Sequence, residues 1–290
     1  MRFIKDYFSD NNLRRELNEL TRMIFSFDFE EWFHNGYVGG YIPYSFEDDG
    51  RLLSNASANI MSFEHDGKEK NYIQIGTVMT SKDNRNKGYA RELILKIIED
   101  YAGKVDGIYL FGNLKALEFY ENMGFQRGLQ YRYFLKENVK ILPSGRLFEK
   151  VECEDTELKN YYMDTVREAA VNSAFEQINR YGLQMFYTAD MEQVYYSKEL
   201  DCFICLEMPG DVLYLNSIIC RNHITLKAIL ERIPVDYQNL TLGFTPFSAD
   251  QELFDIEEYD GGEEYRFFYI GEDLESIEKD KLFFPKFSHA

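Results

Sequence analysis

The chain is short of positive charge. Its 290 residues carry 32 lysines and arginines against 50 aspartates and glutamates, a net charge of −18. Nucleic acid wants a basic face, so no nucleic-acid partner is expected. An acidic surface attracts cations and speeds their encounter, which favours an amine ligand, although such charge also serves solubility alone. No apolar run approaches the roughly 18 residues that a membrane helix needs, so no membrane partner is expected. The N-terminal MRFIKDYFSD has no apolar leader-type segment. Cysteine is scarce: Cys153, Cys202, Cys205 and Cys220 all fall in the second half. Cys202-x-x-Cys205 is half of a metal motif with no second pair to complete it, and strand residues three apart point to opposite faces. No metal is expected, and the thiols read as structural and reduced, in a cytoplasmic protein. Tryptophan occurs once, at Trp32, within a chain that is otherwise 16% aromatic.

What is present concentrates in residues 72–125. Ile73, Ile75, Thr77 and Met79 alternate against Gln74, Gly76, Val78 and Thr80, the period of a strand. A polar turn over 81–87 follows. Gly88 then opens a helix whose apolar residues, Ala90, Leu93, Ile94, Ile97, Ile98 and Tyr101, form one buried stripe. Gly103 stops it. A short strand at 108–111 and a helix at 114–123, ended by Gly124, complete the unit. The turn holds Arg85, Asn86, Lys87, Gly88, Tyr89 and Ala90 at a helix N-terminus. Amide N–H groups there lack intrahelical partners and carry partial positive charge, so a diphosphate suits them. Gly88 clears the approach, and Arg85 and Lys87 add charge. An ordinary solvated turn has the same spacing, so the spacing by itself leaves both readings open. No Gly-Lys-Ser/Thr follows, and no G-x-G-x-x-G is present, which argues against the common nucleotide loops.

Arg85-x-x-Gly88-x-Ala90 resembles the Q/R-x-x-G-x-G/A acyl-CoA loop of the GNAT N-acetyltransferase superfamily. Asn113-x-x-Ala116-x-x-x-Tyr120-x-x-x-Gly124-Phe125 resembles its second signature, in the right order and separation. The resemblance implies a mixed α/β (α+β) fold with two central strands that splay apart, and acetyl-CoA as cosubstrate. It places the pantetheine arm against Val78 and Thr80, the pyrophosphate on the 85–90 backbone, and Asn113 on the CoA side. It makes Tyr120, with an ordinary phenol pKa near 10, the acid for the leaving thiolate. Many relatives carry a base glutamate on the strand at 72–80; none stands here. In some tandem relatives the C-terminal carboxylate takes the proton, which nominates Ala290 or His289 here; the alternative is a tail docked only for packing.

Along the chain, a helix is expected over 10–25 and a short one over 27–35, whose Trp32, Phe33, His34 and Tyr37 either line an acceptor wall or simply pack. The first central strand is expected at 42–46. Glu47, Asp48 and Asp49 read as a solvated hairpin turn. A strand over 51–64 pairs back, and 125–136 reads as the closing strand pair. A polar separator at 136–145, with Pro143 and Gly145, divides a catalytic domain, 1–140, from a second domain, 141–290. The second reads as helical over 151–181, then strands at 194–197, 202–208 and 211–220, a helix at 225–233, and strands at 240–244 and 265–270. That order repeats the first half, so a degenerate second GNAT-like domain is expected. Its loop Arg221-Asn222-His223-Ile224-Thr225 has no glycine and should not hold CoA; completing the acceptor cleft, or forming the interface of a homo-oligomer, remains for it. Myristoyl-type and aminoglycoside-type acyltransferases have similar tandem arrangements. The expected reaction is acetyl transfer, by direct attack, to a primary amine of a small, cationic acceptor. The alternatives are a non-catalytic acyl-CoA sensor and transfer of a longer acyl or aminoacyl group.

Overall fold

The computed structural model describes residues 1–139, 141, 145–235, 237 and 239–290. Pro143, in the polar separator, lies outside the described residues. The first half runs β1 (Arg2–Lys5), α1 (Asn11–Phe25), α2 (Glu30–His34), β2 (Tyr41–Asp48), β3 (Arg51–His65), β4 (Lys68–Thr80), α3 (Tyr89–Tyr101), β5 (Gly107–Asn113), α4 (Leu117–Glu121) and β6 (Gln126–Gly128). The rest runs β7 (Gln130–Leu135), β8 (Glu149–Lys150), α5 (Thr156–Glu168), β9 (Phe175–Gln177), α6 (Tyr181–Tyr187), β10 (Val194–Ser197), β11 (Cys202–Glu207), β12 (Val212–Cys220), α7 (Leu226–Leu230), β13 (Asn239–Leu242), β14 (Phe254–Tyr259), β15 (Tyr265–Ile270) and α8 (Ser276–Lys279).

Two mixed sheets share one plan. The first is ordered β1-β2-β3-β4-β5-β15-β6, with β9 added to β3; the second, read in the same direction, is β8-β10-β11-β12-β13-β7-β14. Each has four antiparallel strands, one parallel step (β4 to β5, β12 to β13), and an antiparallel close. The closing strands are exchanged. β15, from near the end of the chain, sits between β5 and β6, while β7 sits between β13 and β14. The closing pair expected at 125–136 is thus split between sheets at Leu129. Alternation of period two tells which face a residue buries, not which sheet accepts the strand.

Other expectations need correction. An N-terminal strand, β1, precedes the expected first one and pairs with β2. Glu47 is not solvated: it is 5% exposed and receives the Arg2 guanidinium at 2.5 Å. Only 156–168 of the expected 151–181 helix forms, and Phe175–Gln177 leaves to extend the first sheet against β3. As expected of strand residues three apart, Cys202 and Cys205 face different cores, one against α7 and the other against α5 and α6.

α1 begins as expected, its Asp10 side chain accepting from the N–H groups of Asn12 and Leu13. α3 packs Leu93, Ile94 and Ile97 on the face of the first sheet made by Ile73, Ile75, Ile108 and Leu110. The opposite face, with Tyr72, Tyr109 and Phe267, packs against the C-terminal segment through Leu282 and Phe284. Phe284 lies between the halves, stacked at 4.5 Å on Tyr109 and edge-on to Phe63 and Phe175. Phe284→Ala is expected to cost about 3–5 kcal/mol, since the rings around it cannot all collapse into the void. Urea unfolding of the two proteins reads that difference.

Candidate active site

The site lies where β4 and β5 part. Their parallel pairing covers Tyr72–Gly107, Ile73–Ile108 and Gln74–Tyr109, and stops. Beyond Gln74 the edge of β4 facing β5 has no strand partner among the described residues, so a V-shaped gap opens between the strands. β4 is also bulged there. Asn55 pairs with Met79 and Ser57 with Gly76, so Ala56 faces two residues, Thr77 and Val78. Thr77 takes a left-handed φ of 40°, a strained setting for a β-branched residue. Side chains hold it: Asn55 Nδ2 donates to the Thr77 carbonyl at 3.0 Å, Thr77 Oγ1 donates to Ser57 Oγ at 2.8 Å, and Tyr41 Oη shares a hydrogen with Thr77 Oγ1 at 3.1 Å. The network continues through Ser45, which donates to Asn55 at 2.8 Å, and through Asn59, which donates to Ser57 and to the Gln74 carbonyl, each at 3.0 Å.

At the outer end of the gap, the chain turns from β4 into α3. Asn86 (φ 62°) and Gly88 (φ 83°) are both left-handed, which for Gly88 is free of strain. No acceptor among the described residues receives the amide N–H groups of 86–91; the first return bond is from Glu92 to the Gly88 carbonyl. Arg85, Asn86, Lys87 and Gly88 are exposed, and Tyr89 and Ala90 are partly so. Arg85 Nε donates to the Thr80 carbonyl at 3.3 Å and Lys87 Nζ to Asn84 Oδ1 at 2.8 Å; neither cation has a carboxylate partner among the described residues. Successive unpaired N–H groups at a helix start are an anion seat. Val78 and Thr80 stand on the β4 side of the gap. Asn113 ends β5, exposed, with Oδ1 accepting from Lys115 N at 2.9 Å.

Tyr120 and Ala290 approach from opposite faces of the sheet. Tyr120 lies on the helix side, over Gly112. A Cβ on Gly112 would come within 2.8 Å of its ring, so the glycine makes the room. Burial pushes its phenol up to about 12, not the ordinary value near 10 that the sequence suggested. Ala290 lies on the other side. Its N–H donates to Gln74 Oε1 at 3.0 Å, and a Cβ on Gly76 would lie 2.7 Å from its carbonyl oxygen. The whole C-terminal segment is tied down from one sheet to the other. Phe284 N–H donates to Gln130, Lys286 N–H to the Gly243 carbonyl, and the Tyr187 hydroxyl to the His289 carbonyl. His289 stacks on Phe111, 3.8 Å between centroids. Burial, then Lys286 and Arg132, lower its pKa to about 3.

A cavity of about 250 Å³ opens beside Thr77, His289 and Ala290. Of the four residues expected at an acceptor wall, Trp32 lines it, with its indole N–H donating to the Gly182 carbonyl at 2.8 Å. Phe33 instead lies under the Arg14 guanidinium, His34 meets Glu30, and Tyr37 lines a neighbouring cavity. Sequence reasoning missed the bulge at Thr77, the network under it, and the contribution of Phe186 and Tyr187 from α6. One signal was available: 54–59 reads Ser-Asn-Ala-Ser-Ala-Asn, a buried strand with small and polar residues where apolar alternation is expected.

The second sheet has a counterpart. β12 and β13 stop pairing at Leu215 and Leu242, and β12 is bulged at Asn216. No glycine opens α7, whose Ala228 N–H is capped by the Thr225 hydroxyl at 3.4 Å. Among the described residues, no group of three His, Cys, Asp or Glu could hold a metal, and no helix is long and apolar enough to cross a membrane.

The family model for the GNAT family of acetyltransferases matches residues 4–125. Those residues form a GNAT acetyltransferase domain. Solved structures extend the likeness to the rest of the chain. A conserved Enterococcus faecalis protein of unknown function, named a probable N-acyltransferase, superposes with a TM-score of 0.60 at 17% identity, over 94% of this chain and 73% of that one. Eis1 from Mycobacterium abscessus gives 0.57 at 11% identity, over 95% and 75%. A GCN5-related N-acetyltransferase from Kribbella flavida gives 0.54 at 12%, over 94% and 72%. At such identities the likeness concerns the fold: two GNAT-like halves, with splayed strands in the first. No curated protein matches the sequence.

Proposed function

We propose that the chain is an N-acetyltransferase that moves an acetyl group from acetyl-CoA to a primary amine of a small acceptor. The observation that carries this reading is the gap between β4 and β5, which opens beside unpaired 86–91 amides. The pyrophosphate would sit on the backbone of Arg85, Asn86, Lys87, Gly88, Tyr89 and Ala90. The pantetheine arm would lie along Val78 and Thr80, with Asn113 across from them. The N-terminal catalytic unit is then 1–140, completed by β15 and the C-terminal segment, and 141–290 is a degenerate copy that closes the acceptor side.

The chemistry is one displacement. The amine nitrogen attacks the thioester carbonyl, the carbon–sulfur bond breaks, and the amide leaves with CoA thiolate, which takes its proton from solvent. Unpaired main-chain N–H groups of β4 face the place where negative charge grows on the carbonyl oxygen. The carboxylate of Ala290 takes the proton that the amine loses, and the Tyr120 phenol supports the departing sulfur. Holding both partners in one gap supplies orientation.

Calorimetry with CoA tests the foundation. Arg85→Ala is expected to weaken CoA about tenfold, the loss of one charge-assisted hydrogen bond to phosphate. The absence of any heat with the unaltered chain would remove the reading. Binding without thiol release on any amine would favour an acyl-CoA sensor.

A further inference from the structure

The cavity beside Ala290 narrows the acceptor class. At about 250 Å³ it has room for about eight waters of about 30 Å³ each, or for an organic body of about ten non-hydrogen atoms. Phe27, Phe29, Trp32, Tyr41, Phe186 and Tyr187 wall it, and no aspartate or glutamate side chain does among the described residues. Its polar atoms gather at one end. The Tyr41 hydroxyl is bound to Thr77, the Tyr187 hydroxyl to the His289 carbonyl, and the Ala290 main chain reaches Gln74. The net charge of −18 is therefore carried outside this cavity, and general attraction for cations says little about what fits in it. Carboxylates do appear in a smaller space of about 130 Å³ that shares Trp32 and Phe186 as walls, where Asp28 and Glu31 stand. Asp28 there is already engaged by Arg22 at 2.7 Å and by the Glu30 N–H at 2.9 Å.

We infer that the acceptor is a primary amine on a single aromatic or alkyl body, inserted amine first, with no second cationic group. This rests on the transferase reading above. The amine end meets Thr77, Asn59 and the Ala290 carboxylate; the body meets rings. A second ammonium among those rings would be desolvated with no carboxylate beside it, and the ring faces would return only part of that loss. An apolar body gains at every methylene it buries.

The test uses the full chain, acetyl-CoA and thiol release. kcat/KM for 2-phenylethylamine is expected to exceed that for spermidine by about 100-fold. Along propylamine to hexylamine it is expected to rise about fourfold per methylene, the equivalent of about 0.8 kcal/mol. Phe186→Glu, at a half-buried position, is expected to narrow the 2-phenylethylamine preference at least tenfold, once circular dichroism shows the variant folded. Calorimetry of 2-phenylethylamine with CoA present reads the cavity without chemistry. Binding there without turnover on any amine would end the transferase reading, and the acceptor inference with it, leaving only a cavity that binds such an amine as a ligand. Spermidine or an aminoglycoside turned over as well as 2-phenylethylamine, or neither 2-phenylethylamine nor hexylamine bound, would overturn the inference.

Discussion

Removing residues 288–290 is expected to lower kcat by about 10²–10⁴-fold, the usual share of a positioned base, while CoA binds as before. The proposed seat for CoA lies on 85–90, whereas Ala290 touches Gln74 and Gly76 from the opposite face. Two further variants separate a base from a plug. Appending Gly-Ser after Ala290 keeps every side chain and moves the carboxylate; it should cost nearly as much as removal. Gly76→Ala places a methyl 2.7 Å from the Ala290 oxygen, so the segment must shift, and kcat should fall with little change in stability. Full turnover after Gly-Ser extension of a folded protein would dismiss the carboxylate as base. Acid should act here too. His289 is held near pKa 3 in its slot, against about 6.5 in an unfolded chain. The unfolded or undocked form therefore binds the proton first, and the docked segment loses stability as pH falls below about 6.5, down through the folded value. Loss of turnover on the acid side should track release of the His289–Phe111 stack, visible in the ring resonances.

The first half was largely written in local pattern. Asp10 as a cap, the stripe of Leu93, Ile94 and Ile97, and Gly88 at the start of α3 are decisions a few residues make among themselves, and these were legible. So was the repeated order of elements that made two GNAT-like halves. What could not be read is what depends on partners far along the chain. The exchange of β7 and β15 needs knowledge of which sheet has a vacant edge, and the alternation of Gln130 to Leu135 is the same in either. The bulge at Thr77 is set by Asn55 and Ser57 across the strand, not by its own neighbours in sequence. Glu47 looked like a turn residue because the strand that pairs it with Arg2 was not anticipated. The cavity beside Ala290 takes Phe29 and Trp32 from one half and Phe186 and Tyr187 from the other, so no contiguous stretch carries its signature. The separate roles of 1–140 and 141–290 follow as a proposal from the site. The sheets themselves interleave the two ranges.

Tyr120→Phe is expected to lower kcat by about 10²-fold with KM for acetyl-CoA nearly unchanged. The substitution leaves ring packing on Gly112 and Phe268 intact and opens no void, so it tests the hydroxyl alone. No hydrogen bond from that hydroxyl is made among the described residues, which leaves it free for a ligand. The displacement of its pKa decides what it does. Burial lifts the phenol to about 12, while an ordinary thiol titrates near 8.5. Complete transfer of the phenolic proton to the sulfur is then uphill by about 3.5 pH units, unless the thiolate is desolvated to the same degree. A donated hydrogen bond carries no such cost and strengthens as charge gathers on sulfur, so the effect should fall on kcat. The pH profile separates these roles from an inert core tyrosine. The neutral phenol is the useful form and persists below about 12, so the unaltered protein should show no loss from this group up to about pH 10. The fractional deficit of Tyr120→Phe should be constant over that range. A deficit below about threefold, or one confined to KM, would return Tyr120 to the core and leave the thiolate to solvent.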